Sequence, residues 1–169
     1  DLKMQKIKLF TTFSGIGSQE MALRNINADF EMSAISEVDR YALVGYDSIF
    51  NKGEDHEVSK ETMLEYFNKL NIAYNFSTNK SEIPKGIQDI KNLYNASRRS
   101  KNLGDIRKIN ENTLPEFNLF TYSFPCKNIS VAGTQLGLEE GSETQSSLLW
   151  ECERLIKTGK PKVLLMENV

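Results

Sequence analysis

IKLFTTFSGIGSQEMALRNI, residues 7 to 26, holds the junction on which the fold turns. Its opening, IKLFTTF, is β-branched and aromatic and reads as a buried strand. Phe13-Ser14-Gly15-Ile16-Gly17 then breaks the run, and the chain continues into a helix with Ala22, Leu23 and Ile26 expected inward. Glycines between a strand and a helix let the backbone turn tightly and approach a ligand closely. A plain strand-to-helix turn uses the same glycines, so the pair needs company before it marks a site.

The company is Glu37. FEMSAISE, residues 30 to 37, alternates like a second strand, and Glu37 lies twenty residues beyond Gly17. A carboxylate there can take the hydroxyls of an adenosine ribose. A dinucleotide reading fails at the third glycine, where Glu20 stands. A carboxylate in the first helical turn opposes a pyrophosphate docked at the helix N-terminus. A ligand with adenosine but no phosphate fits better, and S-adenosylmethionine is one.

Further along, strands and helices keep alternating. FNLFTYSF (117–124) and KVLLM (162–166) read as buried strands. Leu148, Leu149, Cys152, Leu155 and Ile156 fall at helical spacing. The polar stretch 45–103 is longer than an ordinary crossover. It is expected to carry two helices, one striped by Met63, Leu64, Phe67 and Leu70, the other opened by Pro84 with Ile87, Ile90 and Leu93 on a face. This pattern predicts an α/β fold with a parallel sheet covered by helices on both faces.

Composition narrows the function classes. The chain has 169 residues, 39% of them hydrophobic and 26% charged, which suits one domain with one core. No apolar run has the length of a membrane span, and DLKMQKIKLF lacks the apolar stretch of a signal peptide, so a cytoplasmic setting is expected. Asn-X-Ser triplets, such as those at Asn75, Asn95 and Asn128, read as chance in an Asn-rich chain. The net charge is -2, yet residues 84–108 hold seven Lys/Arg. Such a run is either a solvated helix face or a surface for phosphates. No Cys/His cluster has metal-ligand spacing, so no metal is expected.

Two cysteines make no disulfide framework. Cys152 reads as core from its helical spacing. Cys126 does not: in FTYSFPCKNIS, residues 120 to 130, Pro125 ends the strand and Cys126 falls just past its carboxyl edge. That edge is where open α/β sheets bind ligands, and Lys127 favours a thiolate. A Cys–His dyad is poorly supported, because the single histidine, His56, sits in a charged loop. Without a histidine base the thiol needs a substrate that becomes electrophilic once protonated. Glu167, after KVLLM, would emerge at a strand's carboxyl edge facing the same crevice, although a Glu there also suits a helix cap or a surface charge.

Taken in order, these segments resemble the cytosine-5 DNA methyltransferases along the whole chain, most closely the CpG-specific bacterial branch. The resemblance makes Phe13, Ser14, Gly15, Ile16 and Gly17 the S-adenosylmethionine loop and Glu37 the ribose-binding acid, with Val38 beside it. Gly104-Asp105-Ile106 is similar to the motif whose Asp meets the adenine amino group. Phe124-Pro125-Cys126 is similar to the catalytic Pro-Cys motif, where Pro125 also borders the cofactor. Ser146 to Trp150, with Leu148, is similar to a motif at the methionine end. Glu167-Asn168-Val169 is similar to the Glu-Asn-Val motif, which adds Asn168 to the catalytic set. The implied fold is the Rossmann-like S-adenosylmethionine-dependent methyltransferase fold, amino-terminal part. The implied chemistry is attack by Cys126 on carbon 6 of a flipped cytosine in double-stranded DNA, with Glu167 protonating the ring.

The sequence also departs from that pattern. Val38 stands where the family usually has an aromatic, Lys127 where it has Gln, and Gln145 where it has Arg. The family's downstream arginine motif, target-recognition region and final helix have no counterpart in residues 1–169. The expectation is therefore a partial catalytic domain over 1–169 with a helical insert at about 45–103. Its C-terminal half would be supplied by a second chain or by the rest of the same protein. A non-catalytic remnant, binding only cofactor or partner, is the alternative.

Overall fold

The computed structural model describes residues 5–123 and 148–167. Four parallel strands form one sheet in the order β2-β1-β5-β6: β1 (Ile7–Thr12), β2 (Phe30–Ser36), β5 (Leu119–Tyr122) and β6 (Val163–Met166). β1 is the pivot. It pairs with β2 on one side, from Ile7 against Phe30 to Thr12 against Ser36. On the other it pairs with β5, from Leu9 against Leu119 to Thr12 against Tyr122. The chain thus leaves β1 in one direction and later returns to its other side. This reversal opens a crevice at the strands' carboxyl ends, where doubly wound sheets take ligands.

Short-range chemistry sets the elements between. α1 (Ser18–Asn25) follows the glycine loop. α2 (Arg40–Phe50) is capped by Asp39, whose carboxylate accepts from Tyr41 and Ala42 N–H. α3 (Lys60–Leu70) is capped by Ser59 and ends at Asn71, which takes the left-handed conformation Asn tolerates. Then come a two-strand antiparallel hairpin, β3 (Tyr74–Asn75) with β4 (Lys80–Ser81), and α4 (Ile87–Arg99). Short 3₁₀ turns at Ile106–Lys108 and Glu111–Thr113 precede β5, and α5 (Leu148–Gly159) precedes β6.

Two apolar clusters hold these layers. Ile35 of β2 packs with Leu43 and Tyr46 of α2, Met63 and Phe67 of α3, and Ile90 and Leu93 of α4. Phe10 and Phe120, neighbours in the sheet, pack with Cys152 and Leu155 of α5. Full burial of one such side chain contributes about 1.5–3 kcal/mol. The segment 45–103 therefore shares its core with the sheet, and α2 runs straight across residue 45.

The inward face expected for α1 is wrong. Ile26 is 72% exposed, Ala22 is exposed and Leu23 is half-buried, while Glu20 is the buried residue. The cause lies one turn earlier. A Cβ on Gly17, at φ +90°, would stand 2.4 Å from Phe50 and 2.8 Å from Tyr46, so only glycine lets α1 approach α2 this closely. Glu20 follows three residues later on the same face, where Tyr46 donates to its carboxylate and Arg24 pairs with it at 2.7 Å. Ile87 likewise stays 49% exposed, in the first turn of α4.

The sheet's two edges differ. Beyond β2, Ile35 N–H donates to the Lys101 carbonyl and Leu103 N–H to the Ile35 carbonyl, which covers that edge. At the other end the expected buried strand at 162–166 is corrected: β6 forms, but as the last strand of the described sheet its Val163, Leu164, Leu165 and Met166 are each 46–55% exposed.

Candidate cofactor cleft and catalytic edge

A cleft of about 450 Å³ opens at the carboxyl ends of β1 and β2, lined by Phe13, Glu37, Val38, Asp105 and Ile106 together with residues of the β3–β4 hairpin. Five of the positions singled out in the sequence thus meet in one cavity.

Glu37 is fixed from several directions. Its carboxylate accepts Gly15 N–H at 2.7 Å and the N–H groups of Val38 and Asp39 at 2.8 Å. Burial nevertheless dominates and raises its carboxyl above the ordinary glutamate range, against the pull of those N–H groups. Its backbone is held by Asn102, which accepts Glu37 N–H at 3.0 Å and donates to the Glu37 carbonyl at 2.9 Å. The same Asn102 oxygen accepts Gly104 N–H. One buried amide therefore ties the end of β2 to the Gly104-Asp105-Ile106 segment.

Asp105 is buried beneath its partners. Gly104, at φ +74°, passes so close to Leu70 that a Cβ would lie 2.2 Å from its carbonyl oxygen, which demands glycine. Asp105 N–H donates to that carbonyl. The Asp105 carboxylate accepts Arg107 N–H, Nε and Nη2, and Asn71 Nδ2 at 2.6 Å. Burial would raise this carboxyl, but the bonds from Arg107 and Asn71 together outweigh it and hold it below the usual range. Four donors occupy about four lone-pair sites.

The remaining loop positions separate. Ser14 is buried against Thr11. Gly15 has nothing within 4 Å of where a Cβ would stand, so the loop is open to an approaching ligand. Ile16 is 60% exposed, away from the cleft walls, and Gly17 lies under Tyr46 and Phe50. Leu148 is buried in a cluster with Phe10 and Phe120 of the sheet and Cys152 and Leu155 of α5.

At the other side of the crevice, Ser123 Oγ donates to the Phe13 carbonyl at 3.5 Å and Glu167 N–H donates to the Tyr122 carbonyl at 3.0 Å. The ends of β1, β5 and β6 thus meet at one edge, with Glu167 exposed on it. Pro125, Cys126, Lys127, Gln145 and Asn168 lie outside the described residues. Cys152 is fully buried, and burial pushes its thiol up to about 12, with Thr12 Oγ1 at 3.9 Å. His56 is exposed, and no metal-binding group of His, Cys, Asp or Glu occurs among the described residues.

Three of the seven cations in the run 84–108 pair with carboxylates of the chain. Arg99 pairs with Asp47 and Asp55, Lys91 with Glu57, and Arg107 with Asp105. Tyr74, Phe76, Asn71, Asn102 and Arg107 were not singled out in the sequence. Two-residue strands and a polar residue at a bend have no periodicity to reveal them.

A profile of C-5 cytosine-specific DNA methylases matches residues 76–169. The chain belongs to this family. It is 41% identical to the type II methyltransferase M2.ScrFI of Lactococcus lactis subsp. cremoris, over 96% of this chain and 47% of the relative. It is 37% identical to the orphan methyltransferase M.SssI of Spiroplasma monobiae, over 99% of this chain and again 47% of the relative. The type II methyltransferase M.HhaI of Haemophilus parahaemolyticus matches 46% of the chain at 35% identity. The chain spans about half the length of the first two C-5 methylases it matches. The Rossmann-like sheet is the amino-terminal part of this methylase fold, and no described helix is long and apolar enough to cross a membrane.

Proposed function

We propose that residues 1–169 are the cofactor-binding and nucleophile-bearing part of a DNA (cytosine-5)-methyltransferase that uses S-adenosylmethionine. In this reading they form a partial catalytic domain, completed by a C-terminal half that reads the DNA. The observation that supports it most is the braced Glu37 carboxylate in a cleft at the sheet's switch point.

The residues present suit an adenosine-bearing cofactor. The cleft's volume falls in the range of about 300–1,000 Å³ common for small-ligand sites. Glu37 offers a carboxylate to the ribose hydroxyls, and the open space over Gly15 leaves room beside it. Phe13, Val38 and Ile106 are apolar walls. S-adenosylmethionine bound there supplies an electrophilic methyl on a sulfonium.

The chain's own groups then do the following. Cys126, as a thiolate, adds to carbon 6 of a cytosine flipped out of double-stranded DNA. Glu167 gives a proton to the ring nitrogen beside the carbonyl, which makes the ring electrophilic enough for that addition. Electron density released to carbon 5 accepts the methyl group. Loss of the carbon 5 proton to a base then expels the Cys126 thiolate, and the ring nitrogen's proton returns to Glu167, which restores the ring. Pro125 and Asn168 flank the two reacting groups in sequence.

Tritiated methyl transfer to DNA by the full-length protein tests this reading. Cys126→Ser and Glu37→Ala should each lose transfer, the first entirely. Parent-level transfer by Cys126→Ser would refute the nucleophile, and unchanged cofactor affinity in Glu37→Ala would refute the cleft.

A further inference from the structure

α2 meets the proposed cofactor site at two places. Its N-cap, Asp39, lies two residues after Glu37, and Asp39 N–H donates to the Glu37 carboxylate at 2.8 Å. Its body packs against the glycine loop and the first turn of α1. Ile16 Cγ2 stands 3.3 Å from where a Cβ on Gly45 would lie, and Gly17 packs on the Tyr46 and Phe50 rings. The buried Glu20 carboxylate accepts the Tyr46 hydroxyl. Arg24 closes the group. Its Nε and Nη2 reach Glu20 Oε1 at 3.2 and 2.7 Å, and its guanidinium lies 5.1 Å from the Phe50 ring centroid. A buried carboxylate is costly unless it is paired and hydrogen-bonded, and here one helix supplies the cation and the other the hydroxyl. Burial and the neighbouring Glu20 raise the Tyr46 hydroxyl above the ordinary tyrosine range, so it stays a donor.

We propose that Tyr46 and Glu20 are positioning residues for the cofactor loop: their bond clamps the start of α1 on α2 and so holds Gly15 N–H against the Glu37 carboxylate. The inference rests on the adenosine cleft proposed above. The loop's two ends are held differently. At the β1 end, Ser14 Oγ donates to the Thr11 carbonyl at 3.0 Å. At the α1 end, Gly17 N–H donates to the Ser14 carbonyl at 2.9 Å, and Gly17 moves with the helix it begins. Glu20 is the one buried residue of α1, so the helix is seated on α2 through that side chain. Gly15 lies between the two ends, with nothing within 4 Å of where a Cβ would stand, and its N–H reaches Glu37 Oε2 at 2.7 Å. α2 thus carries the acid's segment at its N-terminus and the loop's seat one to two turns later. Loss of the clamp lets α1 shift on α2 and draws Gly15 off the carboxylate, which then loses its orientation toward the ribose.

Calorimetric titration of the full-length protein with S-adenosylhomocysteine, beside steady-state methyl transfer, tests the clamp. Tyr46→Phe keeps the ring under Gly17 and removes only the hydroxyl. It should bind the ligand roughly three- to ten-fold more weakly and raise KM for S-adenosylmethionine to match, with KM for DNA unchanged. Glu20→Gln keeps an acceptor for the hydroxyl and should bind closer to the parent than Glu20→Ala does. Amide hydrogen exchange in the 13–17 loop should quicken in Tyr46→Phe and in Glu20→Ala. Parent-like affinity in Tyr46→Phe, while Glu37→Ala loses binding, overturns the clamp and leaves the cleft standing, whatever happens to stability. Parent-like affinity in both overturns the cleft and the clamp together. A rise in KM for DNA as large as that for the cofactor shows a general defect of the fold and also overturns the proposal.

Discussion

Asn102 holds Glu37 by both of its backbone polar groups, accepting the N–H at 3.0 Å and donating to the carbonyl at 2.9 Å. No other amino acid of that size presents an acceptor and two donors at once. Its second donor also reaches Ser97 Oγ, deep in the fold. Asn102→Ala would leave the Glu37 and Gly104 N–H groups and the Ser97 hydroxyl short of a partner. A loss of about 2–4 kcal/mol in urea unfolding is expected, with weaker binding of S-adenosylhomocysteine. An unchanged unfolding midpoint would show that water replaces the amide without cost.

Glu37 should make cofactor affinity depend on pH. Its carboxyl is raised by burial, with a small addition from Asp39, so it protonates at a higher pH than an ordinary glutamate. Ribose hydroxyls donate to the charged form, so affinity should be constant well above the raised pKa. It should fall as pH drops through the raised pKa, above the ordinary value of about 4.3. Glu37→Gln should bind weakly with little pH dependence. For the free protein the sign is opposite: a raised carboxyl pKa means the folded state holds the proton better, so this group adds stability as pH falls. Calorimetry across the acid range separates the two.

Much of this site was legible in the sequence, and the exceptions share a cause. IKLFTTF, FNLFTYSF and KVLLM announced strands through their apolar, β-branched and aromatic runs. Cys152 and Leu155 announced α5 because one face of it is buried. α1 misled because its covered face carries Gly17 and Glu20, while Ile26 stands free at the helix end. Glu20 can go inward only because Arg24 and Tyr46 wait for it, and that is a relation between helices. Asn102, Asn71 and Arg107 act through partners up to 65 residues away in sequence, and no local pattern carries that information.

Asp105 should stabilise the fold in the sense opposite to Glu37. Burial works against its charge, but Arg107 and Asn71 bond the carboxylate and bring its pKa below the ordinary range. Its contribution is complete above the unfolded-state value of about 3.9 and is lost as pH falls through the lower folded value. Asp105→Asn should be less stable near neutral pH, and the gap to the parent should shrink in strong acid. A constant gap down to the parent's acid transition would assign the stability to packing alone.

β6 offers a test that needs no DNA. Its four residues, Val163–Met166, are apolar, half-exposed and at the end of the described sheet. An apolar edge strand of this kind pairs with whatever strand it meets. Residues 1–169 alone should therefore self-associate in light scattering. Leu164→Lys should reduce that association without shifting the α-helical circular dichroism. A monodisperse parent would show that β6 is covered within these residues.

The two cysteines should separate cleanly in a trapping experiment. Cys152 has no exposed surface and a thiol pushed up to about 12, so near pH 8 it is almost entirely protonated and out of reach. Cys126 follows Pro125 and precedes Lys127 in sequence, and it is the proposed nucleophile. DNA carrying 5-fluorocytosine at the target blocks the last step, because fluorine at carbon 5 cannot leave as a proton does. With cofactor and the full-length protein, a covalent protein–DNA band is expected. Cys152→Ser should keep it, and Cys126→Ser should abolish it. Glu167→Gln should slow its formation by about 10²–10⁴-fold, the usual cost of losing a general acid. A band that survives Cys126→Ser would move the nucleophile elsewhere in the protein. One lost in Cys152→Ser, with the fold intact, would mean that the buried thiol is not the inert core residue its surroundings make it.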